Sequence, residues 1–557
     1  DKLANKYELN GKINIILISY LLKMVGCIHE DFDYFKDLIR KTYSNKDEKI
    51  VENNINAIDE ATSYIRLFDK SMFTFSEEEE TPCSNLTDCM LKRRGEELKV
   101  SDFLEHADGT FDGGTSKSDK RKISSLVPKW KKDKCIECNM CALVCPHAVI
   151  RPFSLKEEEL SYYGITEAEA LDSFGEVGKY YYLSVNEENC TGCKLCEEIC
   201  PGKNGEKAIY FDIENKRLNK ISEKLFEEAK NETDFNKYTI KGCGFKEPGF
   251  EFPGACAGCG ETSYLKILTQ LYKDNIVIAN ATGCSSIYGA SMPVTPYKVP
   301  WINSLFEDNA EFGLGIYSSY EEKREKILEL MYKYKDEVSK EMKDTFKKWI
   351  LNINDFDITN EIYEEFKNKE EKLPKEIEEL IEYIPARDVW IVGGDGWAYD
   401  IGYGGLDHVL HSNKNVKILI LDSEVYSNTG GQSSKASKEG TSHEFSRFGK
   451  KQNKKDLFRI IMSIPNVYVA SVSLKANMMQ TLKAFKEAHE HIGPSVIIAY
   501  SPCIEHGIKG GLKNSIEEEK LLVKSGYNLL MRYNPKLEKL VMDEKEPDFD
   551  LYEKVFK

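Results

Sequence analysis

The chain lacks any surplus of basic residues. Lys plus Arg number 77 against 93 for Asp plus Glu over 557 residues, a formal charge of −16. No basic stretch is interleaved with aromatics, as nucleic-acid binding requires, so neither nucleic acid nor an anionic membrane surface is expected as a partner. An apolar run long enough for a bilayer is also missing. Ile13 to Leu22 is cut off by Lys23, falls short of the ~20 residues of a membrane helix, and is followed by no small-residue cleavage site of a secretory leader. A buried helix is expected there. The first residue is Asp1 rather than methionine, which reads as a fragment or processed product and leaves an organellar address open.

Cysteine, by contrast, is plentiful at 16. In a chain this large its clustering in ligand-like spacings points to metal chemistry in a reducing, cytoplasmic setting rather than to a disulfide scaffold. Cys135, Cys138, Cys141 and Cys145-Pro146 repeat as Cys190, Cys193, Cys196 and Cys200-Pro201. This C-x2-C-x2-C-x3-C-P run holds a cubane 4Fe-4S cluster, three thiolates wrapping one face while the fourth reaches to the other cluster. Cys135, Cys138, Cys141 and Cys200 are therefore expected at one cluster, and Cys190, Cys193, Cys196 and Cys145 at a second. Structural zinc is the competing reading; it needs two pairs per metal and leaves the third cysteine and the proline unexplained.

The length predicts three to four domains. Residues 1–73 carry helical periodicity from Phe32 to Thr42 and Glu48 to Phe68 and read as the end of a larger, partial α/β unit. Residues 74–123, with the acidic run Glu77 to Glu80 and the Gly-, Ser- and Lys-rich Asp108 to Lys122, read as a surface linker. Residues 124–230 form an α+β ferredoxin-like domain interrupted by an acidic insertion from Lys156 to Glu176. Residues 231–557 alternate buried apolar strands (Ile276 to Ala279, Val389 to Val392, Val416 to Leu421, Val467 to Ala470, Ser495 to Tyr500) with amphipathic helices (Trp397 to Leu410, Ala476 to His489). That is an open parallel α/β sheet with helices on both faces. Tyr320 to Glu382 reads as a helical cover without chemistry.

Ligands of such a sheet sit at the carboxyl ends of its strands. Gly394-Asp395-Gly396 follows one strand, and the next ends at Asp422 before Ser423 to Gly431, so Asp395 and Ser423 should meet at one sheet edge. Glycine admits a diphosphate close to the backbone, and an oxygen-rich site suits Mg2+ with Asp395 as its charged ligand. The pattern, beginning with Gly-Asp-Gly and ending near Asn428, is similar to the thiamine-diphosphate motif. A third cysteine set, Cys256, Cys259, Cys284 and Cys503, lies in the same region. Spacing leaves a further cluster, a zinc site and unlinked thiols all open; the count favours the cluster, leaving Cys27, Cys83, Cys89 and Cys243 as ordinary thiols.

Together with Asp108 to Thr115, Gly254 to Glu261, Ala279 to Tyr288, Asn303 to Gly313, Gly394 to Asp400 and Tyr426 to Lys435, these motifs resemble the C-terminal half of the pyruvate:ferredoxin (flavodoxin) oxidoreductases. The resemblance covers most of Asp108 to Tyr533. It implies that Cys256, Cys259, Cys284 and Cys503 hold a third 4Fe-4S cluster. Thiamine diphosphate would be contacted by Glu261, Cys284, Gly394, Asp395, Gly396, Trp397, Ser423, Glu424, Val425, Tyr426, Ser427 and Asn428. Mg2+ would sit on Asp395, the Ser423 side chain and the Val425 carbonyl, serine standing where the family more usually has threonine. Asn428 would lie near the reacting carbon as the catalytic residue. The implied activity is oxidative decarboxylation of pyruvate with coenzyme A to acetyl-CoA, three clusters passing electrons to ferredoxin or flavodoxin, in a homodimer of the full-length enzyme. Nothing in residues 1–107 resembles the family's N-terminal domain, so this chain alone is expected to be catalytically incomplete, truncation being favoured over a partner chain. Two readings compete: another 2-oxo acid as substrate, or an electron carrier whose thiamine-like fold is only a scaffold.

Overall fold

A computed structural model of the chain describes residues 2–9, 13–24, 33–44, 48–61, 63, 82–290, 294–368, 371–544 and 546–551. It divides into two compact units, Asp1–Pro82 and Cys83–Lys557.

In the first unit the described residues form the helices Lys2–Lys6, Asn14–Met24, Asp33–Thr42 and Glu48–Ala61. They close over a small core of Ala4, Leu9, Ile16, Ala57 and Ala61. No strand occurs among them, so the α/β character expected of 1–73 is not visible in its described part. The helix at Asn14–Met24 is only half-buried: Ile16 and Ser19 point inward while Leu17 and Leu21 are more than half exposed. The acidic run Glu77 to Glu80 and Cys27 lie outside the described residues.

The second unit is built on an eight-stranded sheet. Its order is Lys539–Met542, Met531–Asn534, Tyr468–Val472, Ser495–Tyr500, Lys417–Asp422, Asp388–Gly394, Ile276–Ala281, Trp301–Ser304. The last six run parallel and the first two antiparallel. Alternate side chains of each central strand enter opposite layers, the period-two consequence of the pleat. Trp390, Val392, Leu419 and Leu421 face one core, and Ile391, Ile418 and Ile420 the other. Helices Thr262–Tyr272 and Met478–Glu490 cover the first face, Tyr403–His411 and Leu457–Met462 the second. With both faces covered, the strands read as unbroken apolar runs. The expected helical cover is present as Asn309–Tyr334, Lys340–Leu351, Phe356–Asn368 and Lys375–Glu378, around a core of its own centred on Trp349.

The two cysteine runs lie between an antiparallel pair, Val127–Trp130 with Ile209–Asp212, and a three-stranded sheet, Leu171–Asp172, Tyr180–Val185 and Ile150–Leu155. Leu143, Val144, Leu195 and Ile199 from this part join Tyr264, Leu265 and Leu268 of the large domain in one continuous core. The acidic insertion from Lys156 to Glu176 carries a helix of its own, Glu157–Tyr163, which packs Leu160 and Tyr163 on Ile221 and Leu225. The linker Asp108 to Lys122 is largely exposed but tied down. It lies along the large domain, with Gly114 N–H on the Tyr297 carbonyl at 2.7 Å, Ser116 N–H on that of Thr295 at 3.1 Å, and the buried Ser116 hydroxyl on that of Glu251 at 2.7 Å. A Cβ at Gly113 would come within 2.7 Å of the Tyr297 carbonyl, so glycine is what permits this approach. Cys83 and Cys89 are not separate thiols. The short helix Leu86–Leu91, capped by Asn85, turns the chain so that the two form a disulfide. Cys243 is a buried free thiol, as expected.

Candidate functional site

The two cysteine runs share one backbone conformation. Glu137 and Asn139 in the first, and Gly192 and Lys194 in the second, take positive φ of 55°, 61°, 68° and 65°. These left-handed kinks turn successive thiols toward a common side before the helices Met140–Val144 and Leu195–Glu198 begin. Backbone amides then point at sulfur: Glu137 N–H to Cys135 at 3.4 Å, Gly192 N–H to Cys190 at 3.4 Å, Ala208 N–H to Cys200 at 3.2 Å. The electrostatic neighbours are crossed as the repeat predicts. Cys135, Cys138 and Cys141 each lie close to Cys200, whereas Cys190, Cys193 and Cys196 lie close to Cys145. Burial pushes Cys190 to about 12 and Cys193 to about 11. A zinc ion with sulfur at ~2.3 Å would draw thiolates to within about 4 Å of one another. Among the described residues the one group of three or more potential ligands within 4.8 Å is Cys83, Cys89 and Glu97. No three thiols of the two runs stand that close together.

The third set comes from three loops at the carboxyl edge of the large sheet. Cys256 and Cys259 precede helix Thr262–Tyr272, Cys284 opens the helix after Ile276–Ala281, and Cys503 follows Ser495–Tyr500. Gly260 N–H bonds the Pro502 carbonyl at 3.1 Å, and a Cβ at Gly260 would sit 2.5 Å from the Pro502 nitrogen. This contact seats Cys503 beside Cys259. Cys284 lies near both, and Cys503 also near Cys256. Burial pushes Cys259 to about 12 and Cys503 to about 11.

Adjoining them is the oxygen cluster. Asp395 is 1% exposed. Its Oδ1 lies 3.1 Å from Ser423 Oγ, which lies 3.2 Å from the Val425 carbonyl oxygen. Neighbouring ligands of octahedral Mg2+, each at 2.0–2.1 Å, stand about 3 Å apart, so this donor set fits the ion. Ser434 donates to the other carboxylate oxygen of Asp395. Burial, and then the charge of Asp422, push the Asp395 carboxyl far up; a cation would relieve both. The chain leaves Asp395 through a π-helical turn, Gly396–Ile401, a deviation common at functional sites. Gly396 faces the Tyr426 ring, which a Cβ would meet at 2.3 Å, and Trp397 is fully buried with its indole N–H unpartnered.

Glu424 takes φ 57°, a left-handed strain for a non-glycine residue. Its carboxylate is gripped by Lys454 Nζ and Tyr527 Oη, each at 2.7 Å. Burial works to raise its pKa, but the charge of Lys454 foremost opposes it, and the carboxyl is held low. Ser427 Oγ is 3.1 Å from Cys284 Sγ, which joins the oxygen cluster to the third sulfur set. Asn428 is exposed in the following turn. Glu261 is buried at the head of helix Thr262–Tyr272, raised to about 7 by burial, with Tyr288 donating to it at 2.9 Å. Gly394 ends the strand that delivers Asp395.

Sequence reasoning missed Ser434, Tyr288, Lys454 and His506. The Cys503 amide bonds Nδ1 of His506 at 3.4 Å, leaving Nε2–H to donate to the Ser423 carbonyl at 2.6 Å. His506 thus fastens the third-set loop to the oxygen cluster. Its position three residues after Cys503 was the available signal.

Comparison with known proteins assigns domains to parts of the chain. Residues 134–204 match a 4Fe-4S dicluster domain, 379–499 a C-terminal thiamine-pyrophosphate-binding domain, and 74–124 a domain of unknown function. The chain is 40% identical to a pyruvate:ferredoxin oxidoreductase of Moorella thermoacetica and 37% identical to a pyruvate-flavodoxin oxidoreductase of Klebsiella pneumoniae, over 98% of its length and 49% of each. It is 37% identical, over 96% of its length and 32% of the other, to a pyruvate dehydrogenase [NADP(+)] of Cryptosporidium parvum. It spans about half the length or less of these relatives. Among solved structures, a 2-oxoglutarate:ferredoxin oxidoreductase of Magnetococcus marinus overlaps 45% of this chain and 65% of its own at 15% identity and a TM-score of 0.31, too slight an overlap to argue from. The chain is a relative, about half as long, of the pyruvate:ferredoxin and pyruvate-flavodoxin oxidoreductases, and carries a 4Fe-4S dicluster domain and a thiamine-pyrophosphate-binding domain.

Proposed function

We propose that this chain is the cofactor-binding and electron-delivering part of an enzyme that oxidatively decarboxylates pyruvate with coenzyme A, yielding acetyl-CoA and carbon dioxide. Electrons leave through three 4Fe-4S clusters to ferredoxin or flavodoxin. The full enzyme is proposed to be a homodimer in the reducing cytoplasm. Bound thiamine diphosphate supplies the carbanion chemistry, and the protein orients and tunes it.

The chain's own residues have defined tasks. Asp395, Ser423 and the Val425 carbonyl hold Mg2+, with Ser434 fixing the Asp395 carboxylate and His506 the Ser423 backbone. Gly394, Gly396, Trp397, Glu424, Tyr426 and Ser427 shape the pocket. Glu261, poised near neutrality in a buried site, can hold or release a proton beside Cys284. Asn428, exposed in its turn, is the residue proposed to lie near the reacting carbon. Cys135, Cys138, Cys141 and Cys200 hold one cluster, Cys190, Cys193, Cys196 and Cys145 the second, and Cys256, Cys259, Cys284 and Cys503 the third.

The observation that carries this reading is the 3.1 Å approach of Ser427 Oγ to Cys284 Sγ, which sets a sulfur of the third group against the oxygen cluster. Iron analysis of the anaerobically purified chain tests it, since each cubane brings four irons. About twelve irons per chain are expected. About eight, in a folded chain, would confine the clusters to the ferredoxin-like part and turn the reading toward an electron carrier.

A further inference from the structure

Helix Thr262–Tyr272 starts directly after Cys259 and Glu261 and is buried along its whole length. One turn in, Lys266 is 1% exposed and points away from the third sulfur set into the ferredoxin-like part. Its ammonium donates to the carbonyls of Ala142, Leu143 and Cys145, the latter two at 2.8 Å. Ser263 of the same helix donates to the Val144 carbonyl at 3.0 Å. Between them they take up every carbonyl from 142 to 145, at the end of the short helix Met140–Val144. The Ala142 carbonyl also accepts the Cys145 N–H at 3.3 Å; the terminal carbonyls of a helix otherwise lack partners within it and form the negative end of its dipole.

Three carbonyl acceptors require three N–H donors, and only the protonated amine has three. Lys266 is thus a buried cation, and no carboxylate pairs with it among the described residues. A buried charge without a counter-charge is costly. Lys475, which lies near Cys193, is by contrast matched by Glu519 at 2.7 Å with both side chains buried. The anionic groups that lie around Lys266 are cysteines, Cys145 foremost and then Cys243 and Cys141. Cys145 belongs with the Cys190 run and Cys141 with the Cys135 run, so the ammonium stands between the two cluster sites.

We propose that Lys266 is a positioning residue that holds the Cys141–Cys145 segment against the thiamine-binding domain and, as an uncompensated positive charge there, raises the reduction potential of both ferredoxin-domain clusters, more strongly for the one held through Cys145. This rests on the cluster reading above. Adding an electron makes a thiolate-bound cluster more negative, so a fixed cation stabilises the reduced form, and cluster charge and surrounding hydrogen bonds are recognised determinants of potential. A unit charge in a protein interior shifts such an equilibrium by about tenfold, or 59 mV for one electron.

The test is EPR-monitored redox titration of the full, cluster-loaded chain, with iron content measured in parallel, for wild type, Lys266→Met and Lys266→Arg. The methionine variant is expected to keep its iron and to show a midpoint lowered by about tenfold in the reduction equilibrium for the cluster nearest Cys145, with a smaller shift for the other. Arginine should restore the wild-type values. Full iron with unmoved midpoints in Lys266→Met overturns the proposal. Should that variant lose its iron, Lys266→Gln decides: lowered midpoints sustain the proposal, while unchanged midpoints, or iron loss in both neutral variants, overturn it and leave the side chain a purely structural role. Absence of any cluster signal in the wild type would refute the cluster reading itself, a separate outcome.

Discussion

Lys454 offers a direct probe of how charge is balanced beside the oxygen cluster. Its ammonium lies 2.7 Å from both Asp422 Oδ2 and Glu424 Oε1, whose side chains are only 3% and 10% exposed, while Lys454 itself is 29% exposed. These acids flank Ser423, and Asp422 adds to the burial that raises Asp395. Replacing Lys454 by methionine keeps the stem and removes the charge, leaving the carboxylates uncompensated. Breaking a buried pair costs 3–5 kcal/mol, and because Lys454 is partly solvated the lower end applies, about 3 kcal/mol.

The pH dependence has a definite sign. With Lys454 present, Glu424 is held below its ordinary value despite burial. Its stabilising contribution is therefore present above the unfolded carboxylate pKa of about 4.3 and is lost as pH falls through the lower folded value. Asp422 is already raised, by burial first, even against Lys454. Without the lysine both carboxyls rise above their unfolded values, so the variant gains stability as pH falls. The gap between wild type and variant should be full at pH 7 and narrow progressively toward about pH 4.5. Urea denaturation of the cofactor-free chain, followed through the fluorescence of the buried Trp390 and Trp397, measures it, with Lys454→Arg as the charge-retaining control. A gap under about 1 kcal/mol at pH 7, or one that does not change between pH 7 and pH 5, would refute the reasoning.

Asp395→Asn should lower Mg2+-dependent thiamine diphosphate affinity by at least about 100-fold while leaving the dicluster iron in place, as calorimetry and iron analysis would show. Gly396→Ala must displace the Tyr426 ring, which is tied by its hydroxyl to Asp400 at 3.1 Å. Overpacking of that kind costs about 1–3 kcal/mol, expected as weaker thiamine diphosphate binding in the same calorimetric assay. Trp349→Ala removes a fully buried side chain whose indole donates to the Ile384 carbonyl at 2.8 Å. It should destabilise by about 3–5 kcal/mol in urea titration yet leave thiamine diphosphate affinity unchanged, because the helical cover has its own core.

The two Cys runs and the alternation of apolar strands with amphipathic helices were legible in the chain itself, for a physical reason. Both depend on local spacing: thiols three and four residues apart must share one turn of backbone, and an unbroken apolar run of about six residues, with helices before and after, must lie buried on both faces. The same locality made Asp395 and Ser423 readable as neighbours, since one strand-helix-strand crossover separates them.

Tertiary structure decided what spacing could not carry. Cys256, Cys259, Cys284 and Cys503 come from three loops spread over 248 positions of sequence, and only the sheet order that sets Ser495–Tyr500 beside Lys417–Asp422 brings Cys503 near the others. Asp108 to Lys122 has a linker's composition, yet two glycines lay it against Tyr297. The disulfide between Cys83 and Cys89 follows from a helical turn that the acidic, polar surroundings concealed. Ser434 and Lys266 carry no motif of their own, and His506 only its place three residues after Cys503. Each acquires its role from what stands opposite it after folding, because a hydrogen-bond donor or a buried charge is defined by its partner, and the partner lies 39, 83 or 121 residues away.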